Sequence, residues 1–397
     1  MVKIFLKPHR DESIKRYHPW VFSGAIAQMQ GNPAEGDLVA VLSAEGEELA
    51  IGHYQIGSIA VRILSFNGDP TDPMFWTNAI ARAYNARIVA HVLDESTTCF
   101  RLVHGEGDGL PGLIIDWYDG VCVLQAHSVG MFRAKSQICE ALRSVFGEKL
   151  KAVYDKSSGT APFKAGLDLV DGYLWKAEGF DSPELVVSEN SNKFIVNWCE
   201  GQKTGFFLDQ RDNRALVGRC APGRNVLNLF CYTGGFSVYA LNAGARTVDS
   251  VDSSAKAMAL VEKNISMVEL KEGQEYHNYC EDAIEFLGKC EPGKYDLMIV
   301  DPPAFAKHRG ALKNALRAYQ RLNAAAISKV APGGLVFTFS CSQVVDKITF
   351  AEVVFSAAAQ TGRSVRILDR LNQGADHPVS IYHPEGEYLK GLLLYVE

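Results

Sequence analysis

Asn228-Leu229-Phe230-Cys231-Tyr232-Thr233-Gly234-Gly235-Phe236 joins a short apolar run to a segment of helical spacing through a pair of glycines. From this point the chain alternates apolar runs of strand length with longer helical patterns, as far as a last apolar run at 392–396. Such alternation is typical of a mostly parallel sheet with helices on both faces. We therefore predict an α/β, doubly wound domain over residues 186–397.

Two more loops in this half of the chain directly follow apolar runs. They are Asp301-Pro302-Pro303-Ala304-Phe305 and Phe339-Ser340-Cys341-Ser342. The carboxyl ends of parallel strands meet at one edge of a sheet, and ligands of open α/β sheets bind there. We expect the three loops to line one crevice.

The first half of the chain has a different pattern. Residues 1–72 contain five short apolar runs separated by glycines or polar clusters, which is typical of a small β-barrel. Turn-forming residues at 65–73 make a boundary, and residues 73–185 mix helical and strand patterns as an α+β domain does. The prediction is three domains, at 1–72, 73–185 and 186–397.

The composition is that of an ordinary globular protein, with 47% hydrophobic and 22% charged residues and a net charge of −6. The negative charge argues against indiscriminate coating of nucleic acid, although the first sixteen residues carry five basic and two acidic side chains. No signal-peptide core and no membrane-length apolar run is visible, so we expect a cytoplasmic location and no membrane partner. The nine cysteines stand singly and without zinc-site spacing, which predicts free thiols and no metal.

The glycine-pair loop has features of a nucleoside site. Gly234 and Gly235 permit close approach of a ligand to the backbone, and Asp252 follows Gly234 by 18 residues, near the spacing of a ribose-binding acid. The G-x-G-x-x-G pattern of pyrophosphate sites is missing. S-adenosylmethionine fits these observations, with Asp282 as a candidate acceptor for its adenine amino group. An ordinary β-α turn with surface acids is the alternative.

Cys341 and Asp301 suggest a particular chemistry. Carbon 5 of a pyrimidine is a poor nucleophile, and addition of a thiolate to carbon 6 makes it enamine-like and able to accept a methyl group. Asp301 would then hydrogen-bond or protonate N3 as charge develops. The base that removes the carbon 5 proton cannot be identified, and Cys231, in the cofactor loop, is interpreted as a packing residue.

The joint motif set strongly resembles the bacterial 23S ribosomal RNA 5-methylcytosine methyltransferase family over essentially the whole chain. It comprises the three loops, the late Asp376-His377-Pro378 and Tyr388-Leu389-Lys390-Gly391, and His18-Pro19-Trp20-Val21-Phe22-Ser23-Gly24, which is similar to that family's PUA-type RNA-binding module. The resemblance implies a Rossmann-like methyltransferase domain, S-adenosylmethionine as cofactor, 23S ribosomal RNA as partner and Cys341 as nucleophile. Ala304 is a departure, because lysine is common there in the family.

The family resemblance also supplies candidate site residues. Its G-Q-K-T-G-F-F-x-D-Q-R segment falls on residues 201–211 and adds three cofactor contacts to those of the strand-end loops. The cofactor candidates are then Phe207, Asp209, Arg211, Asn228, Phe230, Tyr232, Thr233, Gly234, Gly235, Asp252, Asp282 and Asp301. The RNA-binding candidates are Arg10, Lys15, Arg16, Phe305 and Lys390.

Two other functions stay open on the sequence. An RNA methyltransferase that modifies a purine amine, such as guanine N2, would share the fold but have no use for the thiol of Cys341. An RNA-binding or ribosome-assembly factor with a degenerate cofactor fold would not bind S-adenosylmethionine. The sequence defines neither the target nucleotide nor the oligomeric state, and a homodimer is compatible with it.

Overall fold

The computed structural model describes residues 1–162, 166–306 and 308–397. The chain divides into two compact units. The first unit contains Met1–Val187, Val196–Leu208 and Ala375–Gly386, and the second contains Ser188–Ile195, Asp209–Gly374 and Glu387–Glu397. The three-domain division stays a prediction, with its first two domains lying inside the first unit.

A six-stranded sheet forms the N-terminal part of the first unit. Its strands lie in the order β2-β6-β5-β4-β1-β3, and small aliphatic side chains such as Val39 and Val61 are fully buried in its core. The elements are β1 (Val2–Leu6), α1 (Glu12–Lys15), β2 (Trp20–Phe22), β3 (Ile26–Gln30), β4 (Leu38–Leu42), β5 (Glu48–Tyr54) and β6 (Ile59–Ser65).

A five-stranded sheet, in the order β11-β10-β9-β8-β7, forms the rest of the first unit with three helices. Two of these helices lie between residues 129 and 146 and are separated at Ala134. The elements are α2 (Phe75–Val89), β7 (Cys99–His104), β8 (Leu113–Tyr118), β9 (Val121–Ala126), α3 (Val129–Arg133), α4 (Lys135–Phe146), β10 (Ala152–Asp155) and β11 (Gly172–Lys176).

The segment Ala375–Gly386 belongs to the first unit although it comes late in the chain. The Asp376 carboxylate accepts a hydrogen bond from the backbone N–H of Arg101 at 3.0 Å, and its carbonyl accepts one from Arg87 Nη2 at 2.7 Å. Asp376 is fully buried. These bonds fasten the late segment to strand β7 and helix α2.

A two-stranded hairpin, β12 (Glu184–Glu189) and β13 (Asn192–Asn197), precedes the second unit's large sheet. Its turn residues Asn190 and Ser191 have φ of 48° and 64°. Positive φ at both central positions is the geometry of a tight two-residue hairpin turn.

The second unit contains a seven-stranded sheet in the order β16-β15-β14-β17-β18-β20-β19. Strands β14 to β18 are parallel, and β20 is antiparallel to its two neighbours. The strands are β14 (Asn225–Leu229), β15 (Thr247–Val251), β16 (Glu275–Tyr279), β17 (Leu297–Val300), β18 (Gly334–Ser340), β19 (Val365–Leu371) and β20 (Lys390–Val396). The helices are α5 (Arg211–Cys220), α6 (Gly235–Asn242), α7 (Ala255–Ile265), α8 (Ala283–Lys289), α9 (Leu312–Lys329) and α10 (Lys347–Thr361).

This topology confirms the predicted doubly wound fold. Every residue of β17 and β18 is buried, as expected for strands covered on both faces. The chain runs outward from β14 to β16 and then returns to β17 on the other side of β14, which makes the β14–β17 border a topological switch point. In the described part of the chain, no helix is long and apolar enough to cross a membrane.

Candidate active site

Adjacent strands bring the three loops to one edge of the second unit's sheet. Leu229 at the end of β14 pairs with Val300 at the end of β17, and Val300 pairs in turn with Thr338 of β18. Neighbouring strands are about 4.8 Å apart. The loops that begin at Phe230, Asp301 and Cys341 therefore leave the sheet side by side at its switch point, as the sequence predicted.

The loop after β14 has an unusual backbone. Phe230, Tyr232 and Gly234 have φ of 58°, 49° and 79°, so left-handed residues alternate with ordinary ones. The backbone N–H of Cys231 donates to the Val251 carbonyl at 3.0 Å and thereby fastens the loop to β15. Left-handed non-glycine residues are costly and cluster at functional sites.

The carboxylate of Asp252 fixes the same loop from the next strand. Its two oxygens accept the backbone N–H groups of Tyr232 at 3.0 Å and Ser254 at 2.9 Å. A carboxylate has about four acceptor positions, so these two bonds leave capacity for ligand hydroxyls. Asp252 therefore orders the loop and can also bind a ribose.

Two buried polar atoms lack partners within the described residues, the Thr233 hydroxyl in this loop and the Asn228 side-chain oxygen near the end of β14. The Thr233 carbonyl is held by Asn264 Nδ2 at 2.8 Å, and the Asn228 amide donates to Ser237 Oγ at 2.9 Å. Unsatisfied buried polar groups are rare in folded proteins. A polar ligand bound at this edge would satisfy such groups.

Asp282, the predicted adenine contact, lies just beyond β16 and is exposed. Its Oδ1 accepts the backbone N–H groups of Ile284 at 2.9 Å and Glu285 at 3.0 Å, so the side chain caps α8. An aspartate at this position stabilises a helix by about 1 kcal/mol. The cap is thus a structural role in addition to the predicted contact.

Asp301 is oriented by a residue that the sequence analysis missed. Gln210 Nε2 donates to Asp301 Oδ2 at 3.0 Å, and Asn213 Nδ2 donates to Gln210 Oε1 at 2.6 Å. Gln210 and Asn213 are each 4% exposed. This chain of amides fixes the direction of the Asp301 carboxylate.

Cys341 follows β18 directly and is partly exposed, in contrast to Cys231, which is buried. Tyr319 of α9 binds the serines on both sides of Cys341, because its hydroxyl accepts from Ser340 Oγ at 2.9 Å and lies 3.0 Å from Ser342 Oγ. Both serines are fully buried. The motif therefore holds Cys341 in place while leaving it accessible. In Cys231, by contrast, burial raises the pKa of the thiol well above its usual value.

Lys390, predicted to bind RNA, is buried and points to the cysteine loop. Its ammonium donates to the carbonyl oxygens of Ser342 at 2.6 Å and Tyr388 at 2.7 Å. Burial lowers the pKa of Lys390 to about 8, while the negative charge of the Cys341 thiolate acts in the opposite direction. At 5% exposure Lys390 has no surface to offer RNA, so we correct that assignment.

The predicted contacts at 207–211 fall in both units. Asp209 and Arg211 belong to the second unit and are 7% and 4% exposed, and the Tyr388 hydroxyl donates to Asp209 Oδ2 at 2.6 Å. Phe207 belongs to the first unit, where Lys203 Nζ lies 4.6 Å from the centre of its ring.

Three of the RNA-binding candidates lie at the N-terminus. Arg10 and Arg16 line a groove of about 550 Å³ in the first unit, together with the exposed side chains of Ile381 and Tyr382. Lys15 forms an ion pair with Asp11 at 2.7 Å. Phe305, the fourth, is partly buried in the second unit with its ring 4.7 Å from that of Tyr319.

Two family models match the chain. Residues 100–394 match the S-adenosylmethionine-dependent methyltransferase model, and residues 4–66 match a PUA-like domain. Two solved structures have the same fold over the full length of both chains. One is a methyltransferase crystallised with S-adenosylhomocysteine (TM-score 0.84, 22% identity), and the other is described as an S-adenosylmethionine-dependent methyltransferase of Streptococcus mutans (TM-score 0.82, 21% identity). The family match over most of the chain thus defines an S-adenosylmethionine-dependent methyltransferase.

Curated relatives narrow the class. Ribosomal RNA large subunit methyltransferase I of Shewanella amazonensis is 38% identical over 400 residues, covering 100% of this chain and 99% of the relative. The protein of the same name from Pseudoalteromonas atlantica is 40% identical over 402 residues, covering 99% of each chain. The chain belongs to the ribosomal RNA large subunit methyltransferase I family.

Proposed function

We propose that this enzyme methylates carbon 5 of a cytosine in 23S ribosomal RNA. The observation that carries the proposal is the position of Cys341, a partly exposed thiol held by its neighbours beside the Asp301 loop. The names of the relatives support ribosomal RNA as the substrate. The choice of cytosine rests on the resemblance of the motif set.

The cofactor would be held by the loops at the switch point. Asp252 offers acceptor positions to the ribose hydroxyls, and the Thr233 hydroxyl is a buried group in need of a partner. Gly234 and Gly235 are packed closely, because a Cβ at these positions would lie 3.2 Å from Val261 and 3.0 Å from Arg214. Asp282 is the candidate for the adenine amino group. When bound, S-adenosylmethionine supplies an electrophilic methyl group.

The thiol of Cys341 would start the reaction as a thiolate. Addition of its sulfur to carbon 6 forms a C–S bond and turns carbon 5 into a nucleophile, which takes the methyl group and leaves S-adenosylhomocysteine. Loss of the carbon 5 proton to a base then expels the thiolate and restores the double bond. Lys390 would favour the thiolate at the first and last steps. Its ammonium is held by the Ser342 carbonyl and interacts with the negative charge of the Cys341 thiolate.

Asp301 would act at N3 of the cytosine. Gln210 fixes its Oδ2, so the carboxyl group is oriented before the base arrives. A hydrogen bond that strengthens as charge develops lowers the barrier more than one formed equally in the ground state. The two prolines after Asp301 limit the freedom of this loop further.

The groove lined by Arg10 and Arg16 is the proposed RNA surface of the first unit. Guanidinium groups pair with phosphates, and exposed aromatic rings such as Tyr382 stack on unpaired bases. Arg10→Ala and Arg16→Ala should weaken RNA binding while leaving S-adenosylmethionine affinity intact. Unchanged RNA affinity in the double variant would refute this surface.

The decisive experiment is methylation of unmodified 23S ribosomal RNA by Cys341→Ala, with Cys231→Ala as the matched control. We expect no product from the first variant and near-normal activity from the second. RNA that contains 5-fluorocytosine should trap the wild-type enzyme covalently, since fluorine at carbon 5 blocks proton loss. Full activity of Cys341→Ala without a trapped adduct would overturn the thiol mechanism and favour methylation of a purine amine.

A further inference from the structure

His383 in the late segment of the first unit is an unusual histidine. It is 3% exposed, and neither of its ring nitrogens has a hydrogen-bond partner within the described residues. Its ring packs edge-on against Trp20, with the ring centres 4.2 Å apart. A buried imidazole without partners is costly, so its lone pair needs a ligand that the polypeptide does not provide.

Two further donors face this imidazole. The donor atoms of His18, His383 and Glu385 all lie within 4.8 Å of one another, and His383 Nε2 is 3.9 Å from Glu385 Oε2. All three residues belong to the first unit. Ligand atoms of a tetrahedral zinc site are about 3.3 Å apart, given bond lengths of about 2.0–2.1 Å. The Glu385 side chain is 59% exposed, so it can rotate to close the gap.

We propose that His18, His383 and Glu385 form a binding site for a divalent transition metal, with Zn²⁺ as the ion of best fit. Two imidazoles and a carboxylate are donors that zinc favours, and the fourth position would hold water. Nδ1 of His18 lies 3.2 Å from the Trp20 backbone nitrogen and 3.3 Å from the Trp20 carbonyl oxygen, so the tautomer protonated at Nδ1, which donates to the carbonyl, is the one that leaves Nε2 for the metal. The spacing of these residues in the sequence does not indicate a metal site, because they lie near opposite ends of the chain.

Two carboxylates lie near the site, which adjoins the groove lined by Arg10 and Arg16. Glu385 would be a ligand, and the carboxylate of Glu106 is close by, where its Oε1 accepts a hydrogen bond from Trp20 Nε1 at 2.9 Å. The metal would fasten residues 381–386 to the strand that begins at Trp20.

The test is Zn²⁺ binding to the full-length protein after chelator treatment and dialysis, measured by competition with a chromophoric chelator. Wild type should bind one ion tightly, His18→Ala should lose this site, and Glu385→Gln should bind at least tenfold more weakly. His308→Ala, which removes an exposed histidine of the second unit, should bind like wild type. Because Glu385 is exposed, its variant should fold even if one at His383 does not.

Co²⁺ provides a second readout, since its visible spectrum distinguishes nitrogen and oxygen ligands from thiolates. We expect a low-coordinate cobalt spectrum without a sulfur charge-transfer band, and its loss in His18→Ala. A sulfur band would assign the metal to one of the nine cysteines and overturn the proposal. Equal Zn²⁺ affinity in wild type, His18→Ala and Glu385→Gln would overturn it as well.

Discussion

The ammonium of Lys390 donates a hydrogen bond to the carbonyl oxygen of Ser342, at 2.6 Å, on the residue that follows Cys341. The bond is made at the end of β18, where Ser340 pairs with Lys390 of β20. A buried positive charge at this position stabilises the thiolate form of the cysteine. The paired strand thus brings a positive charge close to the proposed nucleophile.

Lys390→Met should slow alkylation of Cys341 by iodoacetamide several-fold at pH 7, because the thiolate loses a neighbouring positive charge. The rate is measured by mass spectrometry of the Cys341 peptide across a pH series. Lys390→Arg should retain most of the reactivity. Lys347→Met, which removes an exposed lysine paired with Glu387, is the matched control and should leave the rate unchanged. Equal rates in Lys390→Met and wild type would show that the charge has no effect.

Gly391→Ala should destabilise the second unit and disturb the cysteine loop. A Cβ at position 391 would lie 2.5 Å from Cδ1 of Phe339, two residues before Cys341. Such overpacking costs about 1–3 kcal/mol. Urea denaturation and methylation rate measure the two effects. Gly218→Ala, in α5 with its nearest neighbour at 3.6 Å, is the control and should be neutral or stabilising.

Gly234→Ala should weaken S-adenosylmethionine binding, measured by calorimetry, about tenfold. Gly234 has φ of +79°, and the left-handed region costs an alanine about 1–2 kcal/mol. Gly223→Ala carries the same backbone strain at φ +71°, with nothing within 4 Å of the new Cβ, and lies outside the cofactor loop. Gly223→Ala should lower stability somewhat less than Gly234→Ala, whose new Cβ would also lie 3.2 Å from Cγ1 of Val261, and it should not change cofactor affinity. If both variants lost S-adenosylmethionine affinity, the cause would be a general effect of backbone strain on the fold and not a direct effect on the cofactor loop.

His53 should make the first unit sensitive to acid. Burial lowers its pKa to about 4, whereas an unfolded histidine has a pKa of about 6.5. The unfolded state therefore binds the proton more readily, and stability falls as the pH drops below about 6.5. His53 accounts for about 2 kcal/mol between about pH 7.5 and about pH 4.5. Urea denaturation of His53→Gln should show a pH dependence smaller by that amount, with the exposed His91→Gln unchanged.

Most of the second unit's fold was predictable because its buried strands are continuous apolar runs. The strands β3 and β11 are harder to recognise, because most of their residues are exposed or half-buried and the apolar run Tyr173-Leu174-Trp175 in β11 is only three residues long. Helix α5 begins with Arg211-Asp212-Asn213-Arg214, whose polarity hides its helical period. Tertiary contacts, such as the buried ion pair of Arg214 with Glu189, stabilise it instead.

The site was predictable where residues follow directly from strand ends. Asp301 and Cys341 could be placed beside each other because their strands could be recognised and ordered. The roles of Gln210 and Tyr319 could not be predicted, because each contacts a residue far away in the sequence. Gln210 binds Asp301, and Tyr319 binds Ser340. The burial of Lys390 could not be predicted either, because lysine is usually exposed and the sequence around it does not show which residues pack over it.

The late segment Ala375–Gly386 makes this protein hard to dissect. The chain leaves the second unit, is anchored to the first by Asp376, and only then supplies β20, the strand that carries Lys390. A fragment of residues 186–397 would therefore include a stretch whose binding partners had been deleted. Removal of residues 1–72 would likewise take Trp20 away from His383. Point substitutions therefore separate substrate recognition from catalysis better than truncated fragments do.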